Sequence, residues 1–250
     1  MVARKRRRRR RDPLRDARAE MYRGLVRDAA ERVFAGHGFA RARITHIARE
    51  SRVSIGTIYR VFPGRKGEIY RAIQEHRGTA LIGRTQAIGL ETWRQRSDLL
   101  DAMAAGVTAM VEFFAEHSDY LRLVLREEKA WAAGAKRSSK VQSAVWREGS
   151  EGIVAMMRLG VGERIFVDDD PEIMARTWMA IQEAHFGHWL EQGMQAAPAE
   201  VARRLQRQFL RSFCRPEVHA ARVVDERAST TTTEPAHATS GDAGAAERGA

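Results

Sequence analysis

The 250-residue sequence predicts an all-α fold in two domains, and three observations carry that expectation. Apolar residues recur at spacings of three and four along most of the chain, and no window alternates as a half-buried strand would. Gly and Pro clusters, such as Gly36–Gly38 and Pro63–Gly64, punctuate the periodic segments. The net charge of +11 is unevenly placed: residues 1–78 hold 22 basic and 8 acidic side chains, and the remainder 21 and 24. A basic first third joined to a near-neutral remainder points to a polyanion-binding unit followed by one with another task.

Composition narrows the class. A hydrophobic content of 44% with 30% charged residues is that of a soluble globular protein able to bury a sizeable core. The longest uncharged stretch, Ala102 to Val111, is ten residues, too short to cross a membrane. An arginine run with no apolar segment behind it is not expected to act as a secretory signal. The single Cys214 cannot form an intrachain disulfide, and zinc-finger spacings are absent, so a reducing cytoplasm is the expected location.

Taken in order, residues 1–16 carry the unbroken basic run Arg4–Arg11 and are expected to form a disordered arm. A first helix is expected over about 17–36, with Leu25, Val26, Ala29, Ala30, Val33 and Phe34 inward. Ile44 to about Ser51 reads as a short helix, Arg52–Val53 as a turn, and Ser54 as the N-cap of a second short helix ending near Phe62. Pro63–Gly64 precedes a helix over about 65–83 with Ile69, Tyr70 and Ile73 inward. Further helices are expected from Leu99 to about His117, over 119–132 and over about 138–159. Residues 160–169 read as a loop. Asp170-Pro171-Glu172 is a strong helix start, combining an acidic cap, proline at the first position and a carboxylate on the dipole. That helix should run to about 192, and a last one over 198–213. Residues 216–250, polar and without a large apolar residue after Val224, are expected to be a disordered tail.

Two short helices with a tight turn, flanked by longer ones, form the helix-turn-helix pattern. The residues Ile47-Ala48, Val53-Ser54, Gly56-Thr57-Ile58-Tyr59 and Phe62, with Phe34, Gly36 and Gly38-Phe39 upstream, resemble the DNA-binding domain of TetR-type transcriptional regulators over about residues 18–75. The residue chemistry agrees with this. Val53 and Ile58 would pin the two helices together, and Gly56 would let the second approach a duplex closely. Thr57, Tyr59 and Arg60 would face phosphates and base edges. The DNA-contacting set is therefore expected to be Thr45, Ser54, Ile55, Gly56, Thr57, Tyr59, Arg60, Arg65 and Lys66. The resemblance implies a phosphate contact from a basic residue at the start of the next helix, which leaves Arg65 and Lys66 as alternatives. Three positions depart from the family pattern: Arg52 stands at a turn usually held by glycine, Arg43 at a cap usually held by threonine or serine, and one extra residue lies between Phe62 and Ile69.

The resemblance implies an all-α architecture with the three-helix DNA-binding domain at residues 17–83 and a helical effector-binding and dimerisation domain at 84–215. It implies a cytoplasmic homodimeric regulator, a ligand-responsive repressor by expectation, that meets a palindromic double-stranded operator. It also implies an effector cavity for a largely apolar small molecule, for which Phe113, Trp131, Trp146, Met156 and Trp178 are candidates beside their ordinary reading as core. In TetR-like proteins the last two long helices pair with their copies. The matching stripes here are Met174, Trp178, Ile181 and His185 and Val201, Leu205, Phe209 and Phe213, apolar faces that the chain is not expected to cover with its own helices.

Other candidates read blandly. His185 and His188 lack a third metal ligand, and Asp168–Asp170 reads as a capping loop, so no metal or cofactor is expected. Neither a phosphate-cradling glycine loop nor a nucleophile elbow is present, so no enzymatic activity is expected. The rival class is an interaction module that binds RNA or an anionic membrane through Arg4–Arg11; as an arm on DNA the same run would add sequence-independent affinity.

Overall fold

The computed structural model describes residues 12–96, 98–132 and 140–222, with side chains described outside 127–146 and 148. The Arg4–Arg11 run and the chain after residue 222 lie outside these. Among the described residues the elements are α1 (Pro13–His37), α2 (Ile44–Ser51), α3 (Ile55–Val61), α4 (Arg65–Arg96), α5 (Leu99–Glu116), α6 (Ser118–Ala132), α7 (Lys140–Gly162), α8 (Pro171–Glu191) and α9 (Pro198–Phe213).

α1 begins four residues before the expected start. Asp12 caps it by accepting a hydrogen bond from the Leu14 amide at 3.2 Å, and Pro13 occupies the first turn. It ends at Gly38, whose φ of 76° is open to glycine at little cost. Val26, Ala29, Ala30, Val33 and Phe34 are buried as expected, whereas Leu25 points to solvent. Phe34 packs with Ile47, Ile58, Phe62, Ile69 and Ile73 into the core that joins α1, α2, α3 and the first turns of α4.

α4 does not stop at Gly83. It runs unbroken for 32 residues, so the expected boundary between domains falls inside one helix. Gly89 serves close packing: a Cβ built on it would lie 3.3 Å from the Ala102 carbonyl of α5. α5 in turn packs against α9, α7 against both α4 and α8, and α6 against α1.

The loop after α7 carries a core residue. Phe166 is buried, meets Cys214 in a single antiparallel bridge, and its ring lies 5.3 Å from that of Phe209. The chain beyond α9 is helical again at 216–222, where an unstructured tail was expected. There Arg222 pairs with Asp98 and Asp101 at the start of α5, donating to Asp101 Oδ1 at 2.8 Å.

The expected interface stripe needs correction. Met174, Trp178, Val201, Leu205, Phe209 and Phe213 are all buried within a single chain, and Ile181 and His185 are half-buried. α5 lies over α9, and the Phe166 loop closes the remaining gap, with Trp178 and Phe209 meeting edge-to-face at 5.0 Å. These side chains belong to the core of the C-terminal domain and are covered within it.

Candidate nucleic-acid interface

The turn between α2 and α3 is built as its sequence allows, strain included. Arg52 adopts the left-handed conformation, with φ 55° and ψ 26°, at the position where glycine would be unstrained. Arg43 precedes α2 without a side-chain cap. Val53 and Ile58 are buried and hold the two helices together.

Ser54 caps α3: its Oγ accepts the Thr57 amide hydrogen at 3.2 Å and donates to Thr57 Oγ1 at 3.0 Å. Arg60 also donates to Thr57 Oγ1, at 3.4 Å. The Thr57 hydroxyl oxygen, on a half-buried residue, therefore accepts from both Ser54 and Arg60. The outward face consists of Ile55, Gly56, Tyr59 and Arg60, with Thr45 exposed on α2. Ile55 is 40% and Tyr59 43% exposed, high values for large apolar and aromatic side chains. A Cβ built on Gly56 would meet nothing of the chain within 4 Å, so the space it leaves opens outward.

The two basic residues at the start of α4 differ sharply in surroundings. Lys66 donates to three carbonyls of the α1–α2 connection, those of Phe39 at 2.7 Å, Ala40 at 3.2 Å and Ala42 at 3.2 Å. Its ammonium also lies 4.6 Å from the Phe39 ring centre. Arg65 is exposed at φ 57°, with its guanidinium 5.8 Å from the centre of the Tyr59 ring. Arg65 extends the outward face of α3, and Lys66 ties the loop that supports it.

Two further arginines hold the interface in place, and sequence reasoning did not single them out. Arg23 of α1 donates to the Val61 carbonyl at the end of α3 at 2.5 Å, and its guanidinium stacks 4.5 Å from the Phe62 ring. Arg77 of α4 donates to Glu31 Oε2 of α1 at 2.9 Å and lies 3.4 Å from His117 Nε2 at the α5–α6 turn. Burial pushes the Glu31 carboxyl above its ordinary value, against the opposing pull of Arg77. Burial, then the charge of Arg77, holds His117 below the usual histidine range. This trio joins the DNA-binding domain, the shared helix α4 and the C-terminal domain. Its members sit 40 and 46 residues from Arg77, which no local pattern reveals.

In the C-terminal domain, Phe113 and Trp178 are buried and Met156 is half-buried, while the side chains of Trp131 and Trp146 lie outside the described residues. Phe113 packs against His117 at 4.5 Å and Trp178 against Phe209 at 5.0 Å. A groove of 440 Å³ lies elsewhere, between Trp93, Leu99, Leu159, Ile165, Val218 and Arg222. Phe113, Met156 and Trp178 are not among its walls. In the loop before α8, Asp170 caps the helix through the Glu172 amide at 2.8 Å, as the sequence suggested.

Fold and surface together define a helix-turn-helix unit with an appended helical domain. Residues 26–73 match the family model of bacterial regulatory proteins of the tetR family. The fold agrees over most of the chain with solved members of that type. SmeT, the repressor of the Stenotrophomonas maltophilia multidrug efflux pump SmeDEF, matches at 18% identity and TM-score 0.59, over 78% of this chain and 92% of that one. The ketosteroid regulator KstR2 of Mycobacterium tuberculosis matches at 16% identity and TM-score 0.62, over 77% and 95%. FadR of Bacillus subtilis, in complex with stearoyl-CoA, matches at 14% identity and TM-score 0.61, over 74% and 96%. No curated protein matches the sequence.

Proposed function

We propose that the protein is a cytoplasmic, ligand-responsive repressor that binds a palindromic operator as a homodimer, with α3 of each copy in one major-groove half-site. The observation that carries this reading is the outward face of α3. Ile55, Gly56, Tyr59 and Arg60 are presented to solvent, Arg65 flanks them, and the supporting residues are tied down behind them. Arg65 is the phosphate ligand of this turn, because Lys66 is already committed to three carbonyls.

The surface that α8 leaves uncovered supports a dimer of different composition from the buried stripe. Ile173 is 51% exposed, and Thr177, Ala180 and Ala184 follow it outward at helical spacing. Small side chains there allow two copies of α8 to approach closely about a two-fold axis. For the effector, the likeness to FadR in complex with stearoyl-CoA and to the ketosteroid regulator KstR2 favours an apolar molecule. Binding would shift the population toward a half-site spacing that no longer fits the operator.

Selecting bound fragments from random duplex DNA tests the reading. A palindromic consensus with half-sites about one turn apart is the expected result. Arg60→Ala should then lose about 10–100-fold on the consensus and little on random DNA, the mark of a base contact. Deleting residues 1–11 should lower affinity without altering the consensus. Loss of all binding on that deletion would instead favour the arm as the binding element and refute the proposal.

A further inference from the structure

The outward face of α3 contains a side chain that neither phosphate chemistry nor hydrogen bonding explains. α3 buries Ile58 and Val61, and its exposed columns are Ile55 with Tyr59 and Gly56 with Arg60, each pair four residues apart. The Ser54 hydroxyl at its start is used in the cap, accepting from the Thr57 amide and donating to Thr57 Oγ1. What the first turn offers outward is thus the aliphatic Ile55 beside a glycine with open space around it.

We propose that Ile55 reads the C5-methyl group of a thymine in each half-site and so makes that base a determinant of operator choice. This rests on the DNA-binding reading above and deepens it. The N-terminal residues of a recognition helix are the ones that meet base edges. Phosphates, sugars and the donor and acceptor edges of the bases are polar, and the thymine methyl is the apolar feature of the major-groove wall. A branched aliphatic side chain held in solvent at that position gains by covering such a methyl. It would lose by facing the amino group of cytosine or adenine, which it cannot hydrogen-bond. Gly56 contributes by geometry: without a Cβ, the backbone next to Ile55 can close on the groove wall. Tyr59, one turn on in the same column and flanked by Arg65 at 5.8 Å, faces the backbone of the same half-site.

The test uses deoxyuridine, which differs from thymidine only by that methyl. The full-length protein is first used to select its consensus from random duplex DNA, and each thymine of the consensus is then replaced singly by uracil. Wild type should lose about fourfold in affinity at one position per half-site, and about sixteenfold when both arms are changed, as expected for one buried methyl. Ile55→Ala should bind the thymine and uracil forms of that position equally, while keeping the wild-type response at every other thymine. Because Ile55 is exposed, the variant should fold, which an unchanged circular dichroism melt confirms. Ile55→Asn provides a second arm: it should move the preference at that position from thymine toward adenine. The inference is overturned if no uracil replacement affects wild type, or if the penalty is the same in wild type and Ile55→Ala. A random pool that yields no consensus overturns the DNA-binding reading and this inference with it. A consensus without an Ile55-dependent thymine overturns this inference alone.

Discussion

Replacing Arg77 with methionine, which keeps the aliphatic stem and removes the guanidinium, should cost about 3–5 kcal/mol of stability at pH 7.5. The magnitude follows from the site. The Glu31 side chain is 6% exposed and that of Arg77 19%, so solvent screens the pair little, and the contact is 2.9 Å long. Opposite charges near 3–4 Å in an effective dielectric of about 20 attract by roughly 4–6 kcal/mol. Removing Arg77 forfeits that attraction and leaves a buried carboxylate, offset in part because Arg77 no longer has to be desolvated. The pH dependence supplies a sharper readout. Glu31 has its folded pKa raised above the ordinary 4.5, so its contribution is fully present below 4.5 and is lost as pH rises through the folded value. Without Arg77 that value rises further, and the variant's deficit should grow with pH and shrink toward pH 5. His117, held below the ordinary 6.5 by burial and then by Arg77, contributes stability above 6.5 that is lost as pH falls. Loss of Arg77 relaxes that depression, which also narrows the gap in acid. Urea denaturation of wild type and variant at pH 5, 6 and 7.5 measures both effects, and Glu31→Met added to Arg77→Met should recover most of the loss. A deficit below about 1 kcal/mol, or one independent of pH, would refute the account of the trio as a buried, electrostatically coupled link.

Four other variants test separate parts of the structure. Gly160→Ala places a Cβ 2.1 Å from Phe166 Cδ2, so it should destabilise by about 1–3 kcal/mol in denaturant titration despite the better helix propensity of alanine. Arg52→Gly removes a left-handed non-glycine residue at φ 55° and should stabilise by roughly 0.5–1 kcal/mol once the added chain entropy is subtracted. Leu205→Glu with Phe209→Glu should unfold the C-terminal domain, since two unpaired carboxylates would enter its core. Ala184→Glu on the outward face of α8 should leave near-ultraviolet circular dichroism unchanged while sedimentation shows a monomer.

The helix-turn-helix was legible because its determinants are local. Ser54 as cap, Pro63–Gly64 as break and the apolar spacing of Ile44, Ile47 and Ile58 act within a few residues, and α2 and α3 lie where those signals put them. Failures arise where a distant segment decides. Gly83 read as a stop, but α4 is clamped along its length by α5 and α7, and packing outweighs the roughly 1 kcal/mol that one glycine costs a helix. The choice between Arg65 and Lys66 turns on the carbonyls of Phe39, Ala40 and Ala42, which lie 24 to 27 residues away in sequence. Asp12-Pro13 failed for another reason: it is the same start signal as Asp170-Pro171, but it abuts a run of arginines that argued for disorder, and the local cap prevailed.

The interface stripe exposes a more general ambiguity. Helical periodicity on α8 and α9 establishes that Met174, Trp178, Leu205 and Phe209 face something apolar, and it is equally satisfied by the same chain or by a second copy. The deciding element was the loop at 160–169, read as a connection although it carries Phe166 into the core beside Phe209. Once α5 and Phe166 have covered the large side chains, what remains outward on α8 is Ile173, Thr177, Ala180 and Ala184. A face of that kind buries less apolar area per residue than a Trp–Phe–Leu stripe, so its stability must come from close helix approach rather than from bulky side chains. An interface of the proposed kind would tolerate conservative changes in the large core residues but not added volume. That is why Ala184→Glu, and not any change at Leu205 or Phe209, separates loss of the dimer from loss of the fold.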